Sequence, residues 1–298
     1  GGRLAVAELL DLGSTQDVGA VHLMTYNGVL VRTITNPSPA SFEAFGDGLA
    51  ALGTNLLVGS PYDIHGGQDV GAVYLYSDVG TRLFTVTNPT PQSSDAFGEE
   101  VVGLGATRFA VSAPQDDAVV TDSGVVHIFR TNVLAATITN PAPSAYVNFG
   151  HALGAVSSDL LVVGAPFNAI SGRVGAAYLY STAGTLRATL YNPELEGEFG
   201  DFVAGVGSNR VLVGARLQEI GEAKGQAYLF DTNGALLTRV PNPRPGQWDG
   251  FGRSVADAGS NRLFVASLSH GYLFDQNGVL LAMATNPAFS GFEAFRDQ

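Results

Sequence analysis

The chain has 298 residues, with 38 glycines, 14 prolines, 45% apolar residues and no cysteine. A formal net charge of −12 with Lys224 as the only lysine excludes nucleic acid and anionic membrane surfaces, which need clustered cations, and leaves cationic or neutral partners. Without cysteine there are no disulfides, thiolate metal sites or cysteine nucleophiles, and no apolar run reaches the roughly eighteen residues of a membrane-spanning helix.

Taken in chain order, the predicted elements are short strands that recur. The opening, GGRLAVAE, has neither a basic nor a long apolar stretch, so it predicts no signal peptide, and it aligns with SNRLFVAS near the other end. The pair Asn-Pro then returns at Asn36, Asn88, Asn140, Asn192, Asn242 and Asn286, with spacings of 52, 52, 52, 50 and 44. The two near-sequons at Asn36 and Asn88 are blocked by the following proline. A Phe-Gly pair follows at Phe45, Phe97, Phe149, Phe199 and Phe251, with Phe295-Arg296 as a degenerate sixth. A third marker is an apolar strand opened by glycine, from Gly19, Gly71, Gly124, Gly175, Gly225 and Gly271. Three markers give one count, six repeats.

Within a repeat the pattern predicts four strands, as in EEVVGLG, RFAVSAP, GVVHIFR and LAATIT. Asn27-Gly28, Asn233-Gly234 and Asn277-Gly278 predict type I′ turns between the third and fourth strands. LLVGS, FAVSA and LLVVGA are apolar without alternation, as expected of strands covered on both faces when small sheets stack against one another. The expected fold is all-β, a six-bladed β-propeller of four-stranded antiparallel blades in a single domain, 1–298. The blades span 1–36 plus 292–298, 37–88, 89–140, 141–192, 193–242 and 243–291, so both termini share one composite blade that closes the structure.

These markers resemble the FG-GAP repeat family, whose familiar members are the propellers at the head of integrin α chains. The GAP element is carried by Gly59-Ser60-Pro61, Ser112-Ala113-Pro114 and Gly164-Ala165-Pro166, and weakens to Gly214-Ala215-Arg216 and Ala266-Ser267-Leu268. The resemblance covers the whole chain and implies an extracellular or cell-surface protein that binds partners through its loops. Two departures stand out. Integrin propellers have seven blades, and the family's calcium loop between strands one and two, D-x-D-x-D-G, is replaced here by ALGTNLL, GLGATRF, AVSSDLL, GVGSNRV and DAGSNRL. An oxygen cage needs several converging acids, so calcium is not expected at that site. Asp116, Asp117 and Asp122 read first as solvated loop acids and second as a cation site, so no cofactor is expected, with calcium away from the family's usual loops as the alternative.

Hairpin topology predicts that the second-to-third and fourth-to-first loops share one end of the structure, where loops on a rigid scaffold carry recognition. The first set holds Tyr62, Asp63, His65 and Asp69, then Asp116 and Asp117, then Phe167, Asn168 and Arg173, then Gln218, Glu219 and Glu222, and shortens to SLSHG in the last repeat. The second follows N-P-x-P-x-x-Φ-x-x-F-G, with an aromatic at Phe42, Tyr146, Trp248 and Phe292 and an acid after it at Glu43, Asp95, Asp249 and Glu293. Such a pair can stack on and hydrogen-bond a sugar or anchor a protein. Repetition in most blades favours instead an aromatic wedged between blades and an acid facing water, with Trp248 as the individual exception. The candidate ligand-binding set is Tyr62, Asp63, His65, Asp69, Asp116, Asp117, Tyr146, Phe167, Arg173, Trp248 and Asp249.

Catalytic patterns are missing. The sequence holds no H-E-x-x-H, G-x-S-x-G, phosphate-binding or dinucleotide motif. His22 and His127 occupy equivalent third-strand positions and read as packing residues, while His151 follows Phe149-Gly150 near the expected central channel. The leading expectation is a non-catalytic propeller that binds a protein or glycan. A self-assembling structural module is the alternative, and a hydrolase or lyase working in the channel a lesser one.

Overall fold

The computed structural model describes residues 2–9, 19–40, 42–170, 172–195, 197–220, 223–244 and 249–286. No helix occurs among them, and none is long and apolar enough to cross a membrane. The fold is all-β: small antiparallel sheets form the blades of a six-bladed β-propeller, the first ahead of Asn36-Pro37 and the others between consecutive Asn-Pro pairs. The chain divides into two compact bodies, Gly1–Tyr146 with Gln298, and Val147–Asp297.

In the first body, blade 1 contributes Arg3–Glu8, Ala20–Thr25 and Leu30–Thr35. The expected closing strand at 292–298 lies outside the described residues. Blade 2 comprises Leu49–Leu52, Asn55–Ser60, Ala72–Tyr76 and Arg82–Thr87, with a two-residue-per-arm hairpin, Ile64–His65 against Gln68–Asp69, at its tip. Blade 3 comprises Val101–Leu104, Arg108–Ala113, Val125–Arg130 and Val133–Thr139. The second body holds blade 4 (Leu153–Ser157, Leu160–Ile170, Arg173–Ser181, Leu186–Tyr191), blade 5 (Phe202–Val206, Arg210–Ile220, Ala223–Asp231, Leu236–Pro241) and blade 6 (Ser254–Asp257, Arg262–Ala266, His270–Asp275, Leu280–Thr285).

Two local expectations are corrected. The turns at Asn27, Asn233 and Asn277 are not type I′, because only the following glycines, Gly28, Gly234 and Gly278, take positive φ. Each turn is instead accompanied by a register shift, Leu23/Met24, Leu229/Phe230 and Leu273/Phe274, so a bulge with glycine in the left-handed position turns the strand. In blades 4 and 5 the second-to-third connection is not a loop but a continuation of the hairpin. The long strands Leu160–Ile170 and Arg210–Ile220 carry it beyond the sheet, past irregularities at Ala165/Ala169 and Ala215/Glu219.

Two of the sequence markers and the GAP glycine meet at one kind of joint. A Cβ added to Gly59 would sit 1.9 Å from the carbonyl oxygen of Gly98, and one added to Gly71 would sit 2.1 Å from that of Phe97. In the second body Gly164 meets Gly200 O at 2.0 Å, and a parallel bridge pairs Gly175 with Phe199. Gly214 meets Gly252 O at 2.0 Å, and Gly225 bridges to Phe251 in the same way. The GAP glycine, the glycine that opens strand three and the next repeat's Phe-Gly thus form the contact between adjacent blades, where backbones touch with no room for a side chain.

Each buried phenylalanine of the joint then packs on its own blade's third strand. Phe45 lies 5.8 Å from Tyr74 and 6.4 Å from Tyr76, Phe199 lies 5.8 Å from Tyr228, and Phe251 lies 5.4 Å from Tyr272. Full burial of such a ring contributes about 2–3 kcal/mol. Cores such as Val156, Leu179, Phe199, Val213 and Tyr228 therefore span neighbouring blades rather than single sheets.

Candidate recognition site at the loop ends

The Asn-Pro loops are locked by their own side chains. Asn36 Oδ1 accepts from Ser38 N at 2.9 Å, while Asn36 Nδ2 donates to Glu43 Oε2 at 2.6 Å. The same Glu43 oxygen accepts from Ala40 N at 2.7 Å, and Oε1 accepts from Ile64 N of the hairpin at 3.3 Å. Blade 3's entry loop repeats the lock: Asn88 Nδ2 and Gln92 N donate to Asp95 Oδ2 at 2.6 and 2.7 Å. Burial raises the pKa of Glu43, and raises that of Asp95 to about 6, against the lowering effect of these donors.

Both halves of the expected packing are reversed. Phe42 is 71% exposed and Tyr146 64%, whereas Glu43 is 0% exposed, Asp95 2% and Asp249 7%. Backbone conformation is the reason. Phe42, Ser94 and Tyr146 take φ of 68°, 68° and 61°, and Ala44, Ala96 and Asn148 are left-handed as well. This double reversal turns the residue between them inward whatever its chemistry: Val147 takes the place of Glu43 and Asp95 and is equally buried. The aromatic is turned outward in consequence. A bulky residue at positive φ costs on the order of 1–3 kcal/mol, and such strain gathers at functional positions. Trp248, Phe292 and Glu293 lie outside the described residues.

The second-to-third connections supply a second layer. Tyr74 Oη donates to the buried Asp63, His65 Nε2 lies 3.2 Å from Asp63 Oδ1, and burial raises the Asp63 pKa despite both. Asn168 fills the same role in blade 4, donating to Tyr178 Oη at 2.7 Å. In blade 3 the buried Asp116 accepts from Ala118 N at 2.7 Å and from Thr90 Oγ1 at 3.1 Å. Asp63, Asp116 and Asn168 are therefore interior struts two residues beyond the GAP proline. His127 is buried too, and burial lowers its pKa to about 4, which keeps it neutral beside Thr137.

The two loop sets do meet within each body. Asp69 accepts from Ser93 and Ser94, with Ser94 N donating to Asp69 O at 2.9 Å, and those hydrogen bonds lower its pKa. Tyr146 N donates to Thr121 O at 2.9 Å, and Arg173 Nη1 donates to the carbonyls of Asn192 and Glu194 at 2.8 and 3.0 Å. Asp69 and Arg173 thus staple hairpin to loop. Tyr62 is half-buried near Glu99, Asp47 and Asp69, and its pKa is raised mainly by burial. Asp117 and Phe167 are exposed, Phe167 beside the His151 ring at 6.4 Å.

One polar cluster escaped the sequence reading. In the second body the buried Asp201 pairs with His151 Nε2 at 3.0 Å and with Arg216, which also holds Glu198 at 2.8 Å. The signal was present: the residue after each Phe-Gly is ionisable, as Asp47, Glu99, His151, Asp201 and Arg253. Among the described residues no group of three or more His, Asp or Glu is placed to hold a metal ion. A groove of about 470 Å³ lined by Arg173, Tyr191, Pro193 and Phe230 has a counterpart of about 380 Å³ lined by Arg32, Pro37, Tyr76 and Arg82. Recurrence at equivalent places marks both as blade architecture. No family model and no curated protein matches the chain.

Proposed function

We propose that the protein is a non-catalytic recognition module of the FG-GAP propeller type, working outside the cell or at its surface and binding a protein or glycan through its loop ends. The observation that carries this reading is the outward display of Phe42 and Tyr146 at left-handed backbone positions in loops locked by buried side chains. The left-handed turn buries the residue that follows it, and Ser94 achieves this without an aromatic, so packing does not require the exposed rings of Phe42 and Tyr146, and a stiff loop loses little entropy on binding. Replacing Phe42 and Tyr146 together by glycine is expected to leave thermal stability unchanged or raised, because strain is released, while binding to the partner falls at least tenfold. Pull-down from extracellular material followed by surface plasmon resonance with the captured partner checks this. Undiminished binding by the double variant, or a large loss of stability, would refute it.

A second reading, self-assembly, is favoured by the outer strands. Every residue of Leu280–Thr285 is exposed, including Leu280, Leu281 and Met283, and Val29, Leu30, Val133 and Leu134 stand out on other blades. Apolar outer strands with free backbone groups pair readily with a second copy. If this contact operates, sedimentation velocity shows mass growing with protein concentration, and Leu281→Lys with Met283→Lys abolishes it. A constant monomer across the range eliminates the reading.

A further inference from the structure

The third-to-fourth turns of five blades share one frame. The residue that opens each turn accepts, on a side-chain oxygen, from the amide four residues on. Thr25 accepts from Val29 N at 3.1 Å, Ser77 from Thr81 N at 3.1 Å and Ser181 from Thr185 N at 3.2 Å. Asp231 accepts from Ala235 N at 2.8 Å and Asp275 from Val279 N at 2.9 Å. Three of these turns carry the only Asn-Gly pairs of the sequence, at Asn27, Asn233 and Asn277. Asparagine is a chemically labile residue, and a following glycine leaves the next amide nitrogen uncrowded, so this pair is the one best able to cyclise.

The three asparagines are not held alike. In blade 5 Asp231 Oδ1 also accepts from Asn233 N at 2.9 Å, and Oδ2 takes a long contact of 3.4 Å from Asn233 Nδ2. Blade 6 repeats this with Asp275, at 2.8 Å to Asn277 N and 3.4 Å to Nδ2. Such donors lower the pKa of both acids, which stay anionic beside the turn. Thr25 has one side-chain oxygen, and Val29 N engages it. Among the described residues nothing hydrogen-bonds the exposed side chain of Asn27. The turns differ as well in what stands against them. A carbon added at Gly234 would lie 3.5 Å from Thr189 O, and one at Gly278 3.0 Å from Arg239 O, so both tips rest on the outer strand of the preceding blade. At Gly28 nothing lies within 4 Å. Gly28 N donates to Thr25 O at 2.9 Å, and this bond must open before the nitrogen can react. An exposed tip with no neighbour opens most readily.

Cyclisation brings the glycine nitrogen onto the asparagine Cγ. It demands rotation of the asparagine's backbone and side chain, and loss of the glycine amide proton. A pinned asparagine resists the first, and a neighbouring carboxylate resists the second. We propose that Asn27 is a site of spontaneous modification, closing onto Gly28 while Asn233 and Asn277 stay intact. In this step Gly28 N gives its proton to hydroxide and bonds to Asn27 Cγ, the Cγ–Nδ2 bond breaks, and ammonia leaves with a proton from water. Water then opens the succinimide at either carbonyl, giving aspartate or isoaspartate. Both products place a new negative charge beside the exposed Tyr26 and Val29. The inference is independent of the recognition reading.

The test is incubation of the folded protein at mildly alkaline pH, then trypsin digestion and mass spectrometry. Peptides 4–32, 225–239 and 263–296 hold one Asn-Gly pair each. Asn27 is expected to gain one dalton at least tenfold faster than Asn233 or Asn277, and to give two chromatographic products. In guanidinium chloride the three rates should converge to within threefold, because only the fold separates them. Thr25→Asp, which supplies the missing carboxylate, should slow Asn27 at least fivefold in the folded protein. Asp275→Ser, which installs the residue of blades 2 and 4, should speed Asn277. An intact Asn27, equal rates in the folded protein, or aspartate as the sole product overturns the proposal. A rate order that persists unchanged in guanidinium chloride overturns it as well, since flanking sequence would then set the difference.

Discussion

Alanine at Gly164 is expected to destabilise the protein by about 4 kcal/mol, among the largest effects a single methyl group can have. The glycine sits mid-strand in Leu160–Ile170 with ordinary backbone dihedrals, so no conformational penalty is involved. The added carbon would lie 2.0 Å from Gly200 O and 3.1 Å from Gly200 C. Both neighbours are backbone, and Gly200 is itself held by a 3.1 Å hydrogen bond from its N to Gly214 O, so relief requires moving one blade against the next. Gly66→Ala is the comparison: at φ of 64° with nothing within 4 Å, it bears only the left-handed penalty of about 1–2 kcal/mol. Urea unfolding of the two variants measures the difference, and equal midpoints would remove the joint from the account of stability.

The second large effect concerns pH. Asp95 is buried and its pKa is raised from 3.8 to about 6, a difference worth about 3 kcal/mol. A carboxyl whose folded pKa lies above its unfolded value binds protons more readily in the native state. Its contribution is fully present below the unfolded pKa and is lost as pH rises through about 6. Burial acts in the same direction on Glu43, Asp63 and Asp116. Asp69, Asp231 and Asp275 shift the other way, but they are solvent-facing turn acids whose hydrogen bonds are screened. The protein should therefore unfold at a higher temperature at pH 5 than at pH 7.5, and Asp95→Asn should flatten the curve across that interval. A midpoint that falls steadily from pH 7.5 to 5 would show that the buried carboxyls do not govern it.

The fold was legible because its markers are glycines at backbone contacts. Gly59, Gly164 and Gly214 cannot drift without separating blades, so their period survives in one sequence. The loop chemistry was not legible in the same way. Reading Phe42 as inward and Glu43 as outward follows the ordinary ranking of hydrophobicity. The pairs of left-handed residues that overturn it leave no glycine behind, since Phe42, Ala44, Tyr146 and Asn148 hold them. Asp63 and Asn168 were found as loop residues, but their partners Tyr74 and Tyr178 lie ten or more residues away, and only the folded hairpin joins them. In blade 6 the sequence showed the shortened SLSHG. It did not show how the short connection closes, with Ser267 N donating to His270 O at 2.8 Å.

The joint also explains how the repeats can differ in length. Their spacing falls from 52 to 50 and then 44, yet the glycine contacts recur unchanged at Gly59, Gly164 and Gly214. The first two residues are lost from the Asn-Pro loop, where Asn192 to Phe199 spans 7 positions against 9 from Asn140 to Phe149. The larger loss in blade 6 falls in the second-to-third connection, which runs free of the joint, as at Gly66 and Gly67 where no atom lies within 4 Å of an added carbon. A residue gained or lost there shortens or lengthens a tip. The same change beside Phe97-Gly98 would shift every later contact of that blade by one position and exchange its inner and outer faces. Variation is thereby channelled to the loop ends, so each blade keeps its place while its tip is at liberty to acquire a different shape.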